Sequence, residues 1–391
     1  MLTLARPAAP AHVVWALGVA QTVGWASSYY LPAVLAEPMA ADLGLSPVWV
    51  FGAFSFAMVV SSLVGPWAGA RIDRLGGRGV LALSNLVFAA GLAGLATSQG
   101  PVTLFLAWAV VGIGMGIGLY EAAFATLARI YGPAARSPIT GITLIAGFAS
   151  TVGWPLSGLM LAEWGWREAC LGWAALHLAL ALPLNLSLPK GTQLGRSANP
   201  GAMADEGTTS PPRLALALLA FVFAATWFTS TAMAAHLPRL LEEAGATPAM
   251  ALAAGALIGP AQVGARLLEF GLLRRFHPLL SARIAAACHP VAALILILVG
   301  GPAAAAFALI HGAGNGILTI AKGTLPLALF GPEGYGKRLG WLNAPARALQ
   351  AGAPLIFGAA LTAWGPEAVW ITAGIGAASL AALLLLRRSG P

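Results

Sequence analysis

GARIDRLGGR, residues 69–78, is a short charged segment between two apolar stretches, which cover residues 48–70 and 80–97. Each stretch is about as long as the roughly 20 apolar residues that an α-helix needs to cross a bilayer. The arginines and the aspartate therefore stand where a chain that has crossed a membrane once turns back, and the glycines allow the turn to be tight. The segment predicts a loop between two membrane helices.

The rest of the chain repeats this pattern of long apolar stretches and short polar loops. Hydrophobic residues make up 59% of the 391 residues and charged residues only 9%, and the mean hydropathy is +0.82. A soluble domain carries about 25% charged residues, so a soluble protein is excluded. The sequence predicts an all-α integral membrane protein with twelve transmembrane helices in two six-helix bundles. The stretches lie near residues 12–36, 48–70, 80–97, 102–127, 138–162, 169–188, 214–240, 248–271, 281–299, 302–325, 339–363 and 367–386.

A polar segment rich in glycine and proline, residues 189–212, separates the sixth stretch from the seventh. Such a composition buries too little apolar surface to fold, so it predicts a flexible cytoplasmic linker. The N-terminal bundle then covers residues 1–188 and the C-terminal bundle residues 213–391.

The two halves also resemble each other in sequence. Both carry a Gly-Pro pair followed by a small-residue and arginine segment and then an acidic residue, at the end of the second apolar stretch of each half. An internal repeat is typical of transporters that bind their solute between two bundles. The matching segments are Gly65-Pro66-x-x-Gly69-Ala70-Arg71-x-Asp73 and Gly259-Pro260-x-x-x-Gly264-Ala265-Arg266-x-x-Glu269.

Lysines and arginines concentrate in the loops on one side of the predicted membrane. With the N-terminus in the cytoplasm, only Arg167 and Arg239 fall in external loops, and these loops are acidic instead. Under the positive-inside rule this asymmetry predicts a multi-pass protein of the cell inner membrane with both termini cytoplasmic.

The net charge of +8 is explained by these loops, so we expect the lipid bilayer as a partner and no nucleic acid. Cys170 and Cys288 lie far apart in apolar stretches without metal-ligand spacing, and we expect no metal and no cofactor. The Gly112-x-Gly114-x-Gly116-x-Gly118 run follows no strand, so we interpret it as close helix packing rather than a nucleotide loop. We expect no enzymatic activity.

Residues 69–78 resemble the G-x-x-x-D-R-x-G-x-R/K signature of the major facilitator superfamily. The matching residues are Gly69, Asp73, Arg74, Gly76 and Arg78. The resemblance implies the twelve-helix fold of that family, secondary transport of a small solute by alternating access, and function as a monomer. It also implies that this segment is a conformational latch, for which the repeat supplies Glu269 in the second half.

Polar side chains inside apolar helices are costly and indicate function. They recur here at helical spacing on one face of three stretches in the second half, which predicts a shared wet, substrate-binding cavity. A fourth, aromatic and polar stripe in the first stretch either lines the substrate path or serves packing. The stripes are Gln21, Trp25 and Tyr29; Gln262, Arg266 and Glu269; His311, Asn315, Thr319 and Lys322; and Asn343, Arg347 and Gln350.

The depth of each charge bears on its role. Lys322 lies near the predicted cytoplasmic end of its helix, where we interpret it as snorkelling to water. Arg347 lies deeper and is predicted to act on the substrate. Arg266 has two open alternatives, a helix-end pair with Glu269 or a place in the cavity. We interpret His177 and His289 as hydrogen-bonded packing residues.

Two residues are candidate proton carriers. Glu121 is the lone carboxylate in the interior of the first half's stretches, and burial disfavours its charged form. The alternative is that Glu121 pairs with Arg129 or with another buried base. His311, near the middle of its stretch, is the second candidate.

The cavity residues Arg266, Lys322 and Arg347 outweigh the acidic residues, which favours a small anionic solute such as a carboxylate. The arrangement resembles the monocarboxylate and oxalate–formate exchanger branch of the superfamily, which implies that Arg266 and Arg347 hold the anion. Gln262 stands where that branch has an aspartate. The alternatives are an efflux antiporter for drugs, metalloids or a metabolite, and, in a different class, a non-transporting membrane sensor or enzyme.

Overall fold

The structure is a computed structural model that describes residues 11–190 and 213–386. Most of the predicted linker, together with both chain ends, lies outside the described residues. The first half contains α1 (Ala11–Ala26), α2 (Pro32–Asp42), α3 (Pro47–Leu75), α4 (Gly77–Ala96), α5 (Pro101–Gly118), α6 (Tyr120–Tyr131), α7 (Arg136–Ile145), α8 (Ala149–Trp164), α9 (Trp166–Leu176) and α10 (Leu182–Leu186). The second half contains α11 (Arg213–Glu243), α12 (Pro248–Gly271), α13 (Pro278–Val299), α14 (Ala304–Phe330), α15 (Tyr335–Trp364) and α16 (Val369–Leu385).

Within these ranges the protein is all-helical, as predicted from the sequence. Nine helical runs of the described chain are long and apolar enough to cross a membrane. Two of them, Pro101–Trp164 with 64 residues and Tyr335–Leu385 with 51 residues, greatly exceed the roughly 20 residues of one crossing. Large apolar side chains such as Leu63, Trp67 and Leu355 are exposed on the helices, as a surface that faces lipid requires.

Two of the apolar stretches are broken near their middle. The chain leaves the helical conformation between α1 and α2, at residues 27–31. It does so again at Leu119, which is extended with φ −82° and ψ −165°, between α5 and α6. The side-chain amide of Gln21 donates to the Gly118 carbonyl oxygen at 2.7 Å, which satisfies an oxygen at the end of α5. The second break places Glu121 in the first turn of α6.

The glycine run of α5 packs as interpreted from the sequence. A Cβ atom on Gly116 would lie 2.9 Å from the Ser61 carbonyl oxygen of α3, and one on Gly114 would lie 2.9 Å from the Phe88 ring of α4. Both distances are too short for a real side chain, so glycine is required for this close approach. The prediction of close helix packing is confirmed.

His177 is a packing residue, as interpreted. Its ring lies in the first half between Ser27 and Asn85, with Nε2 at 2.7 Å from the serine Oγ and Nδ1 at 2.9 Å from the amide Oδ1. The ring also stacks on Phe88 with centroids 4.7 Å apart. Both ring nitrogens are therefore satisfied, which is what a buried histidine needs.

Candidate functional site

Asp73 joins the two halves of the molecule. Its carboxylate accepts hydrogen bonds from the backbone N–H groups of Gly336 at 2.9 Å and Lys337 at 2.8 Å, in the first turn of α15. A carboxylate at a helix N-terminus is favoured by the unpaired N–H groups and by the helix dipole. Gly69 and Gly336 lie so close that neither has room for a side chain. The glycine and aspartate of the predicted latch thus form one contact between α3 and α15.

The other signature residues shape the turn between α3 and α4. Gly76 has a φ of +86°, a conformation that glycine adopts readily and other residues do not. The Arg129 guanidinium donates to the backbone carbonyl oxygens of Asp73 and Arg74, the latter at 3.2 Å. Neither Arg74 nor Arg78 makes an ion pair with any described carboxylate.

Glu269 forms a second contact between the halves, with a partner that the sequence did not suggest. Its carboxylate lies 2.9 Å from the guanidinium of Arg136, the first residue of α7, and accepts a second hydrogen bond from Ser281 at 2.7 Å. Arg136 also donates to the carbonyl oxygens of Leu273 and Phe276. Glu269 is 1% exposed, and the contacts with Arg136 and Ser281 fix the position of its carboxylate.

Arg266 is buried and points toward the first half. It donates to the Thr143 carbonyl oxygen of α7 and to the Gln262 side chain, each at 3.4 Å. The alternative of a helix-end pair with Glu269 is wrong, because in the described chain the ion-pair partner of Glu269 is Arg136. The interface between α7 and α12 holds Arg266 instead.

Glu121 pairs with a buried base, and that base is Arg347 rather than Arg129. The Arg347 guanidinium donates to the Glu121 carboxylate at 2.7 Å, and their side chains are 4% and 16% exposed. The pair joins α6 of the first half to α15 of the second. Beside it lies a small cavity of about 10 Å³ that is also lined by Ser61, Ser62 and Asn343.

The interpretation of Lys322 as snorkelling is wrong. Its side chain is buried, and the ammonium lies 3.6 Å from the centroid of the Trp227 ring of α11. It is also close enough to Glu121 and Arg347 to interact with them electrostatically. The number of residues between Lys322 and the external start of its stretch predicted a position near the cytoplasmic water. The side chain instead turns into the protein, where its amino group packs against an aromatic ring.

Aromatic rings surround these charges. The Trp25 ring lies 4.9 Å from Tyr120, 5.4 Å from Tyr29 and 6.4 Å from Trp227, measured between centroids. The Tyr29 hydroxyl also accepts a hydrogen bond from the Gln350 side-chain amide at 3.1 Å, another contact between the halves. The stripes predicted on the first and eleventh apolar stretches therefore meet.

His311 and Asn315 are not part of this group. They line a separate cavity of about 30 Å³ inside the second half, together with Thr226, Thr229 and His289. The Nδ1 atoms of His289 and His311 lie 2.9 Å apart, so one ring donates to the other. The hydrogen bond predicted for His289 is confirmed. The prediction of one shared cavity is wrong, because α14 presents His311 and Lys322 to different surroundings.

The buried charges of the interface between the halves do not balance. Glu121 is paired with Arg347 and Glu269 with Arg136. Across the described residues, no carboxylate lies within 4 Å of Arg266 or Lys322. This leaves two buried basic side chains without a carboxylate in direct contact, although Glu121 interacts with Lys322 at longer range.

Several buried polar atoms of the same region have no hydrogen-bond partner within the described chain, although most buried polar groups in proteins have one. They include both donors and acceptors. Those on the predicted site residues and their neighbours are Gln21 Oε1, Trp25 Nε1, Trp227 Nε1, Arg266 Nε, Asn343 Oδ1 and Gln350 Oε1.

The sequence reasoning missed Tyr120, Trp227 and Arg136. The sequence did contain a signal for Trp227. Thr226, Thr229 and neighbouring hydroxyl residues interrupt its apolar stretch, which indicates a polar environment around this part of the helix. Tyr120 and Arg136 had none, since their roles depend on the break at Leu119 and on which helix faces which.

Comparisons with known proteins identify the architecture. A family model described as Major Facilitator Superfamily matches residues 17–317. The chain is 33% identical over 181 residues to an MFS-type efflux pump of Mycolicibacterium smegmatis, across 42% of this chain and 39% of that protein. It is 32% identical over 160 residues to an uncharacterized 38 kDa protein in the 23S RNA operon of Thermoproteus tenax, across 40% of this chain and 42% of that protein. The match thus spans about two fifths of the length of these relatives.

A solved structure with the same fold is that of the proton:xylose symporter XylE bound to 6-bromo-6-deoxy-D-glucose. It has a TM-score of 0.73 at 16% sequence identity and covers 97% of both chains. At this level of identity the likeness establishes the fold alone.

Proposed function

The chain belongs to the Major Facilitator Superfamily, and we propose that it carries a small organic anion, with a carboxylate as its charged group, by alternating access. The family consists of membrane transporters, so the chain is a transporter and not an enzyme. A sensor that binds without transporting is disfavoured for the same reason.

The observation that carries the anion is the excess of buried basic over acidic side chains, since Arg266 and Lys322 have no carboxylate within 4 Å in the described chain. An arginine cannot lose its proton in a protein, and a buried charge without a partner is strongly unfavourable. A bound anion would supply the negative charge that Arg266 lacks. Arg347 is a third cation in range, and arginine binds a carboxylate through two parallel hydrogen bonds.

The proposed architecture is twelve crossings in two bundles, residues 1–188 and 213–391, joined by a cytoplasmic linker at residues 189–212. Nine runs, of which two are long enough for two crossings each, together with the broken pair α1–α2 give this number. The positive loops support cytoplasmic termini in an inner membrane, and nothing in the site requires more than a monomer.

Proton coupling is proposed at Glu121. While ionised, Glu121 occupies Arg347. A proton on the carboxylate breaks the ion pair and frees the guanidinium for the solute, so proton and anion would bind together. His311 is the second candidate, but its partner is His289 and it lies in the other cavity.

The contacts of Asp73 and Glu269 are proposed as latches of the transport cycle. Both lie at the ends of helices that face the predicted cytoplasmic side, and both tie one half to the other. While they persist, that side is closed. Their release would open the solute site to the cytoplasm, and the glycine pair Gly69–Gly336 allows the tight closure.

The deciding experiment is uptake into proteoliposomes of a radiolabelled panel of carboxylates, amino acids and drugs, with and without a pH gradient. We expect at least one carboxylate to accumulate when the gradient is imposed. If no carboxylate moves, the anion proposal is wrong.

The alternative of efflux has support of its own, because one relative is named an MFS-type efflux pump. The chemistry of the site does not depend on direction. The accumulation of the same carboxylate is measured in inside-out and in right-side-out vesicles. A transporter that exports the solute in exchange for protons accumulates it in inside-out vesicles, and one that imports it together with protons accumulates it in right-side-out vesicles.

A further inference from the structure

Two tryptophans from opposite halves face each other at the proposed solute site. The rings of Trp25 on α1 and Trp227 on α11 are stacked, with centroids 6.4 Å apart and planes 16° apart. Trp25 is 5% exposed and is flanked on other sides by Tyr29 and Tyr120. This part of the interface between the halves is a wall of flat rings.

Neither indole has used its N–H group. Trp25 Nε1 and Trp227 Nε1 are buried, and the described chain offers no acceptor to either. A buried tryptophan normally finds a partner for its N–H, because the group is a strong donor.

A cation lies against the same wall. The Lys322 ammonium is 3.6 Å from the centroid of Trp227, buried and without a carboxylate within 4 Å in the described chain. The site therefore combines flat apolar faces, unused N–H donors and a positive charge within one group of contacting residues. The donors and the charge suit oxygen atoms with negative charge, and the rings suit a flat apolar body.

Resting on the proposed anion transport, we infer that the solute is an aromatic carboxylate, whose ring packs on the Trp25–Trp227 pair and whose carboxylate binds near Lys322. A small hydrophilic anion such as oxalate would leave the aromatic wall without a role. An aromatic cation would meet Lys322 and Arg266, so like charges would exclude it.

The test is equilibrium binding of radiolabelled benzoate to the full-length protein in nanodiscs, an assay that is insensitive to leakage of the free acid through lipid. The competitors are cyclohexanecarboxylate, which has a similar size but no flat ring; acetate, which has no ring; and benzamide, which has no charge. We expect benzoate to compete about fivefold better than cyclohexanecarboxylate, since a stacked aromatic pair contributes about 1 kcal/mol beyond its area. We expect benzamide not to compete.

Substitutions of Trp227 test whether its ring causes the preference for benzoate. Trp227→Leu should remove the preference for benzoate over cyclohexanecarboxylate, while Trp227→Phe should keep most of it because a ring remains. Trp15→Leu is the control, since Trp15 lies on the same helix as Trp25 but is 60% exposed. A monodisperse elution profile and an unchanged melting temperature of the nanodisc preparation show that each variant is folded.

The outcomes separate this inference from the proposed function. If acetate and other aliphatic carboxylates bind and are transported but benzoate has no advantage, or if Trp227→Leu leaves that advantage intact, the aromatic inference is wrong and anion transport stands. If no carboxylate binds and none is transported, both are wrong. Competition by benzamide as strong as by benzoate would contradict the anionic site.

Discussion

Two buried ion pairs connect the halves of this transporter, and their surroundings differ. Arg136–Glu269 has several further partners, because Ser281 donates to the same carboxylate and two backbone carbonyl oxygens accept from the same arginine, although the buried Arg136 Nε has no acceptor in the described chain. Glu121–Arg347 has a single hydrogen bond between its partners and lines a cavity. Of the two pairs, the second is the one that borders a cavity.

This difference separates structural from functional charges better than burial does. Both pairs are largely buried, yet only the pair beside a cavity can exchange one partner for a proton or a solute. A pair that is also bound by Ser281 and by backbone carbonyl oxygens instead stabilises one arrangement of the helices. The comparison therefore assigns the latch to Glu269 and the exchange of ligands to Arg347.

The largest effect is expected from Arg347→Gln. It removes the cation that the proposed solute shares with Glu121 and leaves a buried carboxylate unpaired, which costs about 3–5 kcal/mol. We expect uptake of the transported carboxylate in proteoliposomes to fall by roughly a hundredfold or more. Arg347→Lys serves as the control for charge and should retain part of the uptake. Near-normal uptake by the glutamine variant would show that both pairs are structural.

Glu121→Gln should have the next largest effect, on coupling rather than on binding. In the proposed mechanism uptake rises as the external pH falls, because a proton on Glu121 frees Arg347. The glutamine resembles the protonated carboxyl, so we expect exchange of labelled for unlabelled carboxylate to persist and accumulation driven by a pH gradient to fall by about tenfold. A variant that still responds to the gradient like the wild type would remove Glu121 from the coupling.

Arg136→Gln should affect conformation and leave solute binding intact. It leaves Glu269 with Ser281 as its remaining donor, so the closed cytoplasmic side is destabilised. We expect uptake to fall by about fivefold, as for an equilibrium shifted by about 1 kcal/mol. A cysteine at Ser62, in a background where Cys170 and Cys288 are serine, should react faster with a maleimide reagent from the cytoplasmic side. An unchanged reaction rate would contradict the latch.

Ser281→Ala should have the smallest effect. It removes one of two donors to the Glu269 carboxylate and keeps the opposite charge of Arg136, so only a small part of the roughly 1.5–3 kcal/mol typical of a hydrogen bond to a charged group is lost. Because Arg136 remains, we expect uptake to change by about twofold and the melting temperature to fall slightly. A loss as large as that of Arg136→Gln would show that the pair depends on the hydroxyl more than on the opposite charge.

The fold was largely predictable from the sequence, because its signals are local. Apolar stretches of membrane-spanning length and the segment at residues 69–78 can be read without knowing which helices are neighbours. The family model and the all-helical structure confirm that part. The close packing of the α5 glycines was predictable for the same reason.

The partners of the site residues were not predictable, because they depend on packing between distant segments. Glu121 and Arg347 are 226 positions apart, and the sequence offered Arg129 as an equally reasonable base. The position of Lys322 was misjudged because helix depth says nothing about the side to which a long side chain turns. The break at Leu119 directly follows a run of alternating glycines in a stretch that the sequence predicts to be one continuous helix. The sequence therefore did not predict that Tyr120 and Glu121 begin a new helix.

The contact of Asp73 has a consequence for how the sequence of this protein can vary. Its carboxylate binds backbone N–H groups of α15, which every residue except proline carries. Position 337 can therefore accept nearly any amino acid while the contact survives, so a change of that side chain would not reveal whether the contact is kept. Position 336 tolerates no such change, because Gly69 leaves it no space. The two adjacent residues of this contact are thus constrained in different ways. Position 337 needs only a backbone N–H group, whereas position 336 must have no side chain.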